Sequence, residues 1–207
     1  MGFNDEYSPT CATDCDDQLL APVGNTHCPT DATVELAQIN VLHFDEKDTS
    51  TPGSPKNPIL TYTAGGDNST VITTWRGTHD NTTASKIRTY VGTGEKPEPN
   101  ETEVELHKGI KYTIGSRHVL VYTINVIDAA TYTALRTMQG CKGQYHIWYA
   151  TDTYLYGADK GILVDVEKVV FPKSGGRTDI SKCIVTLAWN AKTDPIRDVL
   201  PYDVVTA

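Results

Sequence analysis

The stretch that decides the fold is EVELHKGIKYTIGSRHVLVYTINVID, residues 103–128, in which apolar and polar residues alternate with the period of a β-strand. It predicts three strands, near 103–107, 110–114 and 118–127, with breaks at Gly109 and at GSRH. Composition agrees, because 29 of the 207 residues are threonine and 11 are tyrosine, and both types pack well on a pleated surface. We therefore expect a mainly β protein.

The next segment, DAATYTALRTMQGC, has the features of a helix. Asp128 is a typical N-cap residue, apolar residues recur at helical spacing over 129–139, and Gly140 stands where a glycine commonly follows a helix. About three turns are too few for a stable isolated helix, so this one should pack on a sheet.

Downstream of this helix the strand pattern resumes. GQYHIWYATDTYLYG, GILVDVEKVVFPKSG and DISKCIVTLAWNAKTDP predict three or four strands, with turns at 157–161 and at SGGRT. The last stretch, DPIRDVLPYDVVTA, contains Pro195 and Pro201 and is expected to be a non-helical tail.

Upstream, ATVELAQINVLHF (32–44) alternates, with a parity break near Ala37 to Ile39 that is typical of a bulge or of a strand buried on both faces. ILTYTAGGDNSTVITTWRG (59–77) is the clearest hairpin candidate, because Gly65 and Gly66 suit the turn between two Thr-rich strands. A short strand is expected at 87–91.

The element order predicts one domain. Residues 1–30 have little apolar periodicity and are interpreted as an extended N-terminal assembly arm. Residues 31–200 are expected to form a single β-sandwich or rolled-sheet domain with one flanking helix, and 201–207 a C-terminal tail. The long polar loops at 45–58 and 92–102 contain several prolines, and such loops are usually functional or mobile.

Three of the five cysteines lie in CATDCDDQLLAPVGNTHCP, residues 11–29. Cys11 and Cys15 have the spacing of half a zinc knuckle, but His27 and Cys28 are adjacent, and adjacent residues rarely bind one ion. A disulfide between Cys28 and Cys11 or Cys15 is an alternative outside a cell. Reduced thiols buried under a partner subunit are the interpretation we favour.

No residue pattern predicts catalysis, a cofactor or a metal site. G-x-S-x-G, P-loop and G-x-G-x-x-G motifs do not occur, and the six histidines are scattered. Asp165 and Glu167 share a strand parity, but a solvated strand face explains them better than a glycosidase pair. Cys141 and Cys183 are interpreted as structural residues rather than nucleophiles, and Cys183 as a small buried hydrophobic residue.

Charge and hydropathy argue against several classes of protein. A net charge of −8 argues against a protein that grips nucleic acid through phosphate contacts. No apolar run is long enough for a membrane span, and MGFNDEYSPT lacks the features of a secretory signal. We therefore expect folding in a cytoplasm, without membrane contact.

The run from Gly143 to Pro195 resembles virion proteins of tailed bacteriophages, particularly neck and tail ring proteins of crAss-like phages. The strand–helix–strand order is similar to their tail-tube-like fold. The resemblance covers about residues 32–200 and lies in the general residue pattern and the order of the elements. It assigns a function to no individual residue. It implies a cyclic homo-oligomer in the virion neck or tail, assembled in the host cytoplasm beside portal, ring or tail-tube proteins, with genomic DNA passing through its lumen.

We therefore expect a structural ring subunit rather than an enzyme. The candidate interface residues are those of the arm and the two proline-containing loops: Cys11, Cys15, Leu19, Leu20, Cys28, Pro52, Pro55, Pro58, Pro97 and Pro99. The alternative is a head-fibre, capsid-decoration or carbohydrate-binding protein whose sugar platform would use Trp75, Trp148, Tyr149, Tyr154 and Tyr156. Core packing is the favoured role for those rings.

Overall fold

The computed structural model describes residues 38–81, 83, 85–105, 111–125, 128–172 and 182–200, with 101–105 and 111–114 described by their backbone. The strands are β1 (Gln38–Glu46), β2 (Arg88–Glu95), β3 (Pro99–Glu105), β4 (Lys111–Ile124), β5 (Lys142–Ala150), β6 (Tyr154–Tyr156), β7 (Ile162–Val170), β8 (Cys183–Ala191) and β9 (Arg197–Val199). The helices are α1 (Ser69–Arg76) and α2 (Ala129–Met138).

Six strands close into an antiparallel barrel in the order β1–β2–β4–β8–β7–β5. Closure comes from β1, which pairs with β2 along one edge and with β5 along the other, so that Phe44 lies opposite both Arg88 and Ile147. The mainly β prediction with a flanking helix is confirmed. The sheet is rolled and closed, and a β-sandwich is not confirmed.

The other three strands extend the barrel at its ends. β3 pairs with β4 from Lys111 to His118, whereas β8 pairs with β4 only from Ser116 onward, so the β3–β4 hairpin continues past the barrel wall. β6 pairs with the end of β5, and β9 with β6.

The barrel interior is filled by side chains. Alternate residues of every barrel strand point inward, as Leu120, Tyr122 and Ile124 do on β4. Leu135 and Met138 of α2 pack against the same cluster. The barrel is therefore a packed core and not a channel.

A second apolar cluster lies outside the barrel, between α1 and the outer faces of β1 and β5. It joins Ile72 and Trp75 of α1 to Val41 of β1 and Trp148 of β5. β1 is thus buried on both faces, and its pairing with β2 shifts register between Ile39 and Val41. Both explanations offered for the parity break apply.

The helix predicted over 129–139 is confirmed as α2. The Asp128 carboxylate accepts a hydrogen bond from the Thr131 amide at 2.6 Å, and Gly140 has a φ of +79°. Both residues therefore have the capping roles that the sequence predicts for them.

The hairpin predicted over 59–77 is wrong, because its second half is α1. The turn at Gly65, with a φ of +72°, is present, but buried Asn68 then redirects the chain by binding the amide and carbonyl of Thr63 at 2.9 and 2.7 Å. Ile72 and Trp75, three residues apart, are buried on one helical face. Tertiary burial of this face outweighs the β preference of threonine.

Two predicted breaks are also wrong. β4 runs without interruption through GSRH, because Gly115 lies opposite Thr102 of β3 and Ser116 opposite Ala191 of β8. The loop expected over 92–102 shrinks to residues 96–98 between β2 and β3. Glycines that look like strand breakers in the sequence are held in strands by long-range pairing.

Candidate functional site

Two grooves on the described surface are the candidate functional sites. The α1 groove has a volume of about 590 Å³ and is lined by residues 56–61 and by α1, with Trp75 at its base. The β4 groove has a volume of about 920 Å³ and lies over the outer face of β4, beside residues 93–98.

The α1 groove presents methyl groups to solvent. The hydroxyls of Thr74 and Thr78 donate to the carbonyls of Thr70 and Trp75 at 2.9 and 2.6 Å, so the methyl groups of these two threonines are left for the groove surface. Leu60, at the rim, is 70% exposed. The groove is therefore more apolar than its threonine-rich sequence indicates.

The backbone beside Leu60 is unusual. Thr61 has a φ of +57°, in the left-handed region that is unfavourable for a β-branched residue. Such backbone conformations are often found at functional sites. Thr61 directly follows the exposed Leu60.

Buried polar contacts hold the groove wall in place. Asp45 accepts hydrogen bonds from the amide and the side-chain nitrogen of Asn57 at 2.6 and 3.1 Å, and the Asn57 carbonyl accepts one from Trp75 Nε1 at 2.9 Å. Burial raises the pKa of the Asp45 carboxyl, although the bonds from Asn57 oppose that effect. Asn57 thus connects β1 to the base of the groove.

Two histidines pack beneath the groove. The rings of His43 and His79 lie 4.8 Å apart, and Trp75 contacts both edge-on at 5.3 and 4.5 Å. His79 Nδ1 donates to the Arg76 carbonyl at 2.6 Å. Burial lowers the pKa of His79 to about 4 and that of His43 well below its ordinary value, so both rings are neutral at neutral pH.

The β4 groove has an uncharged floor. Val119 and Val121 face outward between inward-facing neighbours and are 40% and 52% exposed, and Val91 on β2 is 50% exposed. Along one side of the floor, the Lys96 ammonium lies 4.8 Å from the centre of the Tyr156 ring. Val119 and Val121, two residues apart on the outer face of β4, together form the apolar part of this floor.

The predicted interface residues are distributed as follows. Pro58 lines the α1 groove and Pro97 the β4 groove, so the two proline-containing regions contribute to different grooves. Pro52 and Pro99 are exposed, whereas Pro55 is buried in a bridge to Lys47. Cys11, Cys15, Leu19, Leu20 and Cys28 lie outside the described residues, as do the predicted arm (1–30) and tail (201–207).

Sequence reasoning missed Leu60, Val119 and Val121. The signal for the two valines was present, because HVLVYT is apolar at both parities, which a strand buried on one face alone would not require. Nothing in the sequence distinguishes Leu60 from a core residue.

The proposed sugar-platform rings belong to the cores. Trp75, Trp148, Tyr149 and Tyr156 are buried and Tyr154 is half-buried. Trp148 packs under α1, whereas Tyr149 points into the barrel and stacks on Tyr156 at 4.7 Å. The prediction that core packing is their main use is confirmed.

The other titratable candidates have structural environments. Asp165 accepts a hydrogen bond from the Gly143 amide at 2.8 Å, and Glu167 forms an ion pair with Arg117. Cys183 lies inside the barrel, where burial raises the pKa of its thiol to about 11. Its predicted role as a buried small hydrophobe is confirmed.

Within the described ranges, no group of three or more His, Cys, Asp or Glu side chains is arranged to hold a metal ion. Neither α1 nor α2, the helices that the structure describes, is long and apolar enough to cross a membrane. A scan against protein-family models finds no matching family, and a search of curated proteins finds no match.

Proposed function

We propose that this chain is a structural subunit of a tailed-bacteriophage virion, forming a homo-oligomeric ring in the neck or tail, as the resemblance to crAss-like phage ring proteins implies. The observation that carries the proposal is the exposed valine surface of Val119 and Val121 on a barrel whose interior is already packed. Such a surface has a use when another subunit covers it.

The DNA path would lie between subunits. Because the barrel interior is filled, a lumen is created only by arranging several barrels around an axis. In the proposal DNA passes through this lumen without sequence-specific binding, because a chain with a net charge of −8 repels phosphates.

The acidic charge of the chain is concentrated at its beginning. Residues 1–37 contain seven Asp and Glu residues and no Lys or Arg, so they account for −7 of the net charge of −8. In the proposal these residues include the assembly arm that contacts neighbouring virion proteins, among them the portal and adjacent ring or tail-tube proteins. The role needs no cofactor, catalysis or membrane, and assembly takes place in the host cytoplasm.

The alternative is a head-fibre, capsid-decoration or carbohydrate-binding role. The burial of Trp75, Trp148, Tyr149 and Tyr156 removes the aromatic platform on which the sugar-binding version was based. We therefore retain the ring subunit as the better-supported function, and binding on a glycan array would favour the alternative.

Sedimentation equilibrium of the full chain over a wide range of concentrations tests the proposal. We expect one closed oligomer with a fixed number of 22.7 kDa subunits, without open-ended growth. A chain that remains monomeric at every concentration, alone and with purified portal or tail proteins, would contradict it. Retention of linear duplex DNA by the oligomer at physiological salt would contradict passage without binding.

A further inference from the structure

We propose that the α1 groove of one copy packs against the β4 groove of the next copy, in a head-to-tail contact that closes the ring. This inference rests on the ring proposed above and names the two surfaces that meet. It makes a second copy of this chain the occupant of both grooves.

The two grooves are separate surfaces of the barrel. α1 covers the outer faces of β1 and β5, whereas the β4 groove is lined by the outer face of β4, by residues 93–98 and by Gln38 at the start of β1. A contact between two different surfaces passes from copy to copy, which is the geometry of a heterologous interface.

The rim of the α1 groove has an exposed apolar side chain that the β4 groove could receive. Leu60 projects from the rim of the α1 groove with 70% of its surface exposed. The β4 groove is open above Val119 and Val121 and is bordered by residues 93–98. Inserting Leu60 there would remove exposed apolar side chains of both copies from water.

The β4 wall continues as an uncharged surface onto the neighbouring strands. Thr123 lies opposite Thr93 of β2 and Ile184 of β8, and Val121 lies opposite Thr186 of β8. Depletion of charge is typical of the central region of an interface.

The charged residues at the edges have opposite signs. Lys56 lines the α1 groove, where it also pairs with Glu46. Glu95 and Glu98 line the β4 groove, on either side of Lys96. If two α1 grooves paired instead, Lys56 of one subunit would approach Lys56 of the other, and the two ammonium groups would repel. Val119 and Val121 would also stay in water, so the head-to-tail contact is favoured.

The test uses the full chain with one charge introduced into each groove. L60E places a carboxylate where Glu95 and Glu98 of the next copy would face it, and V121K places an ammonium opposite Lys56. L163E is the matched control, because Leu163 is an exposed leucine on β7 that lines neither groove. Far-UV circular dichroism and thermal unfolding check that each variant folds.

We expect L60E and V121K each to weaken self-association at least tenfold and to sediment as monomers where the wild type and L163E form rings. Mixed one to one, the two variants should associate again. The intact α1 groove of V121K binds the intact β4 groove of L60E, and the second junction brings the introduced carboxylate against the introduced ammonium, a pair of opposite charge.

Each other outcome counts against the inference. If L60E and V121K form rings as L163E does, the grooves are not the contact, although the ring itself stands. If the variants are monomers and their mixture also stays monomeric, the interface is not head-to-tail. If the wild type forms no oligomer, the proposed function and this inference fail together. Should either variant unfold, the milder L60N and the neighbouring V119K take its place, with the same outcomes deciding.

Discussion

The ring of Tyr122 occupies the space that a side chain on Gly94 would need. A Cβ atom at Gly94 would lie 2.8 Å from Tyr122 Cδ2, and one at Gly92 would lie 2.0 Å from the Thr123 carbonyl oxygen. The two glycines let β2 approach β4 closely at the point where β2 continues the barrel wall. A large inward ring on β4 is thus matched by the absence of side chains on its partner strand.

Substitution of these glycines should destabilise the barrel. We expect G92A to lower the free energy of unfolding by about 3 kcal/mol, since the added methyl group meets backbone that cannot move aside. G115A is the control, because a Cβ at Gly115 meets nothing within 4 Å. Chemical denaturation of both variants measures the difference, and equal stability would show that the close approach of β2 and β4 is not required.

The hydroxyl of Tyr122 should matter separately from its ring. It lies 2.9 Å from the Asn40 carbonyl and 3.0 Å from the Tyr90 carbonyl, so it can donate to either. Y122F keeps the ring and removes the donor, and we expect a loss of roughly 1–2 kcal/mol in denaturant unfolding. A loss as large as that of G92A would instead point to a rearranged interior.

Stability should fall in mildly acidic solution because of the histidines under α1. The pKa of His79 is lowered from 6.5 to about 4 in the folded protein, so the unfolded chain takes up a proton that the folded chain resists. Its contribution is fully present above pH 6.5 and is lost as the pH falls toward 4. The loss from this residue should reach roughly 3 kcal/mol at most, and His43 acts in the same direction.

The variant H79F tests the assignment by removing the titration while keeping an aromatic ring beside Trp75. Denaturation midpoints measured from pH 7.5 to pH 4 should fall less steeply for H79F than for the wild type. Parallel curves for the two proteins would show that the acid sensitivity arises elsewhere.

Asn68 should be essential to the chain reversal before α1. Its side chain binds the Thr63 amide and carbonyl and also Asp198 of β9, and the residue is 2% exposed. We expect N68A to cost about 3 kcal/mol, because buried partners lose their hydrogen bonds. N190A on the exposed end of β8 should change stability by less than about 0.5 kcal/mol, and thermal unfolding of both variants checks the contrast.

Local signals predicted local structure. Asp128, the helical apolar spacing and Gly140 all lie within two residues of the ten that form α2, and the prediction was right. The hairpin prediction for 59–77 was wrong because a Thr-rich segment is compatible with strand or helix. The burial of Ile72 and Trp75 against β5, which is distant in sequence, selects the helix.

Closure of the barrel was beyond sequence reasoning for the same cause. It depends on β1 pairing with β5, about a hundred residues later, as in Leu42 opposite Tyr149. Strand patterns show which residues are inward but not which strand is the neighbour, so sandwich and rolled sheet looked alike. Of the predicted interface residues that lie in the described ranges, Pro58 and Pro97 line the two grooves.

Negative-stain electron microscopy of the purified full chain tests the central claim most directly. The account predicts closed rings of uniform diameter with a stain-filled centre, because the barrels themselves are packed and the lumen lies between subunits. Images and mass measurements showing only separate 22.7 kDa particles at high concentration would contradict it.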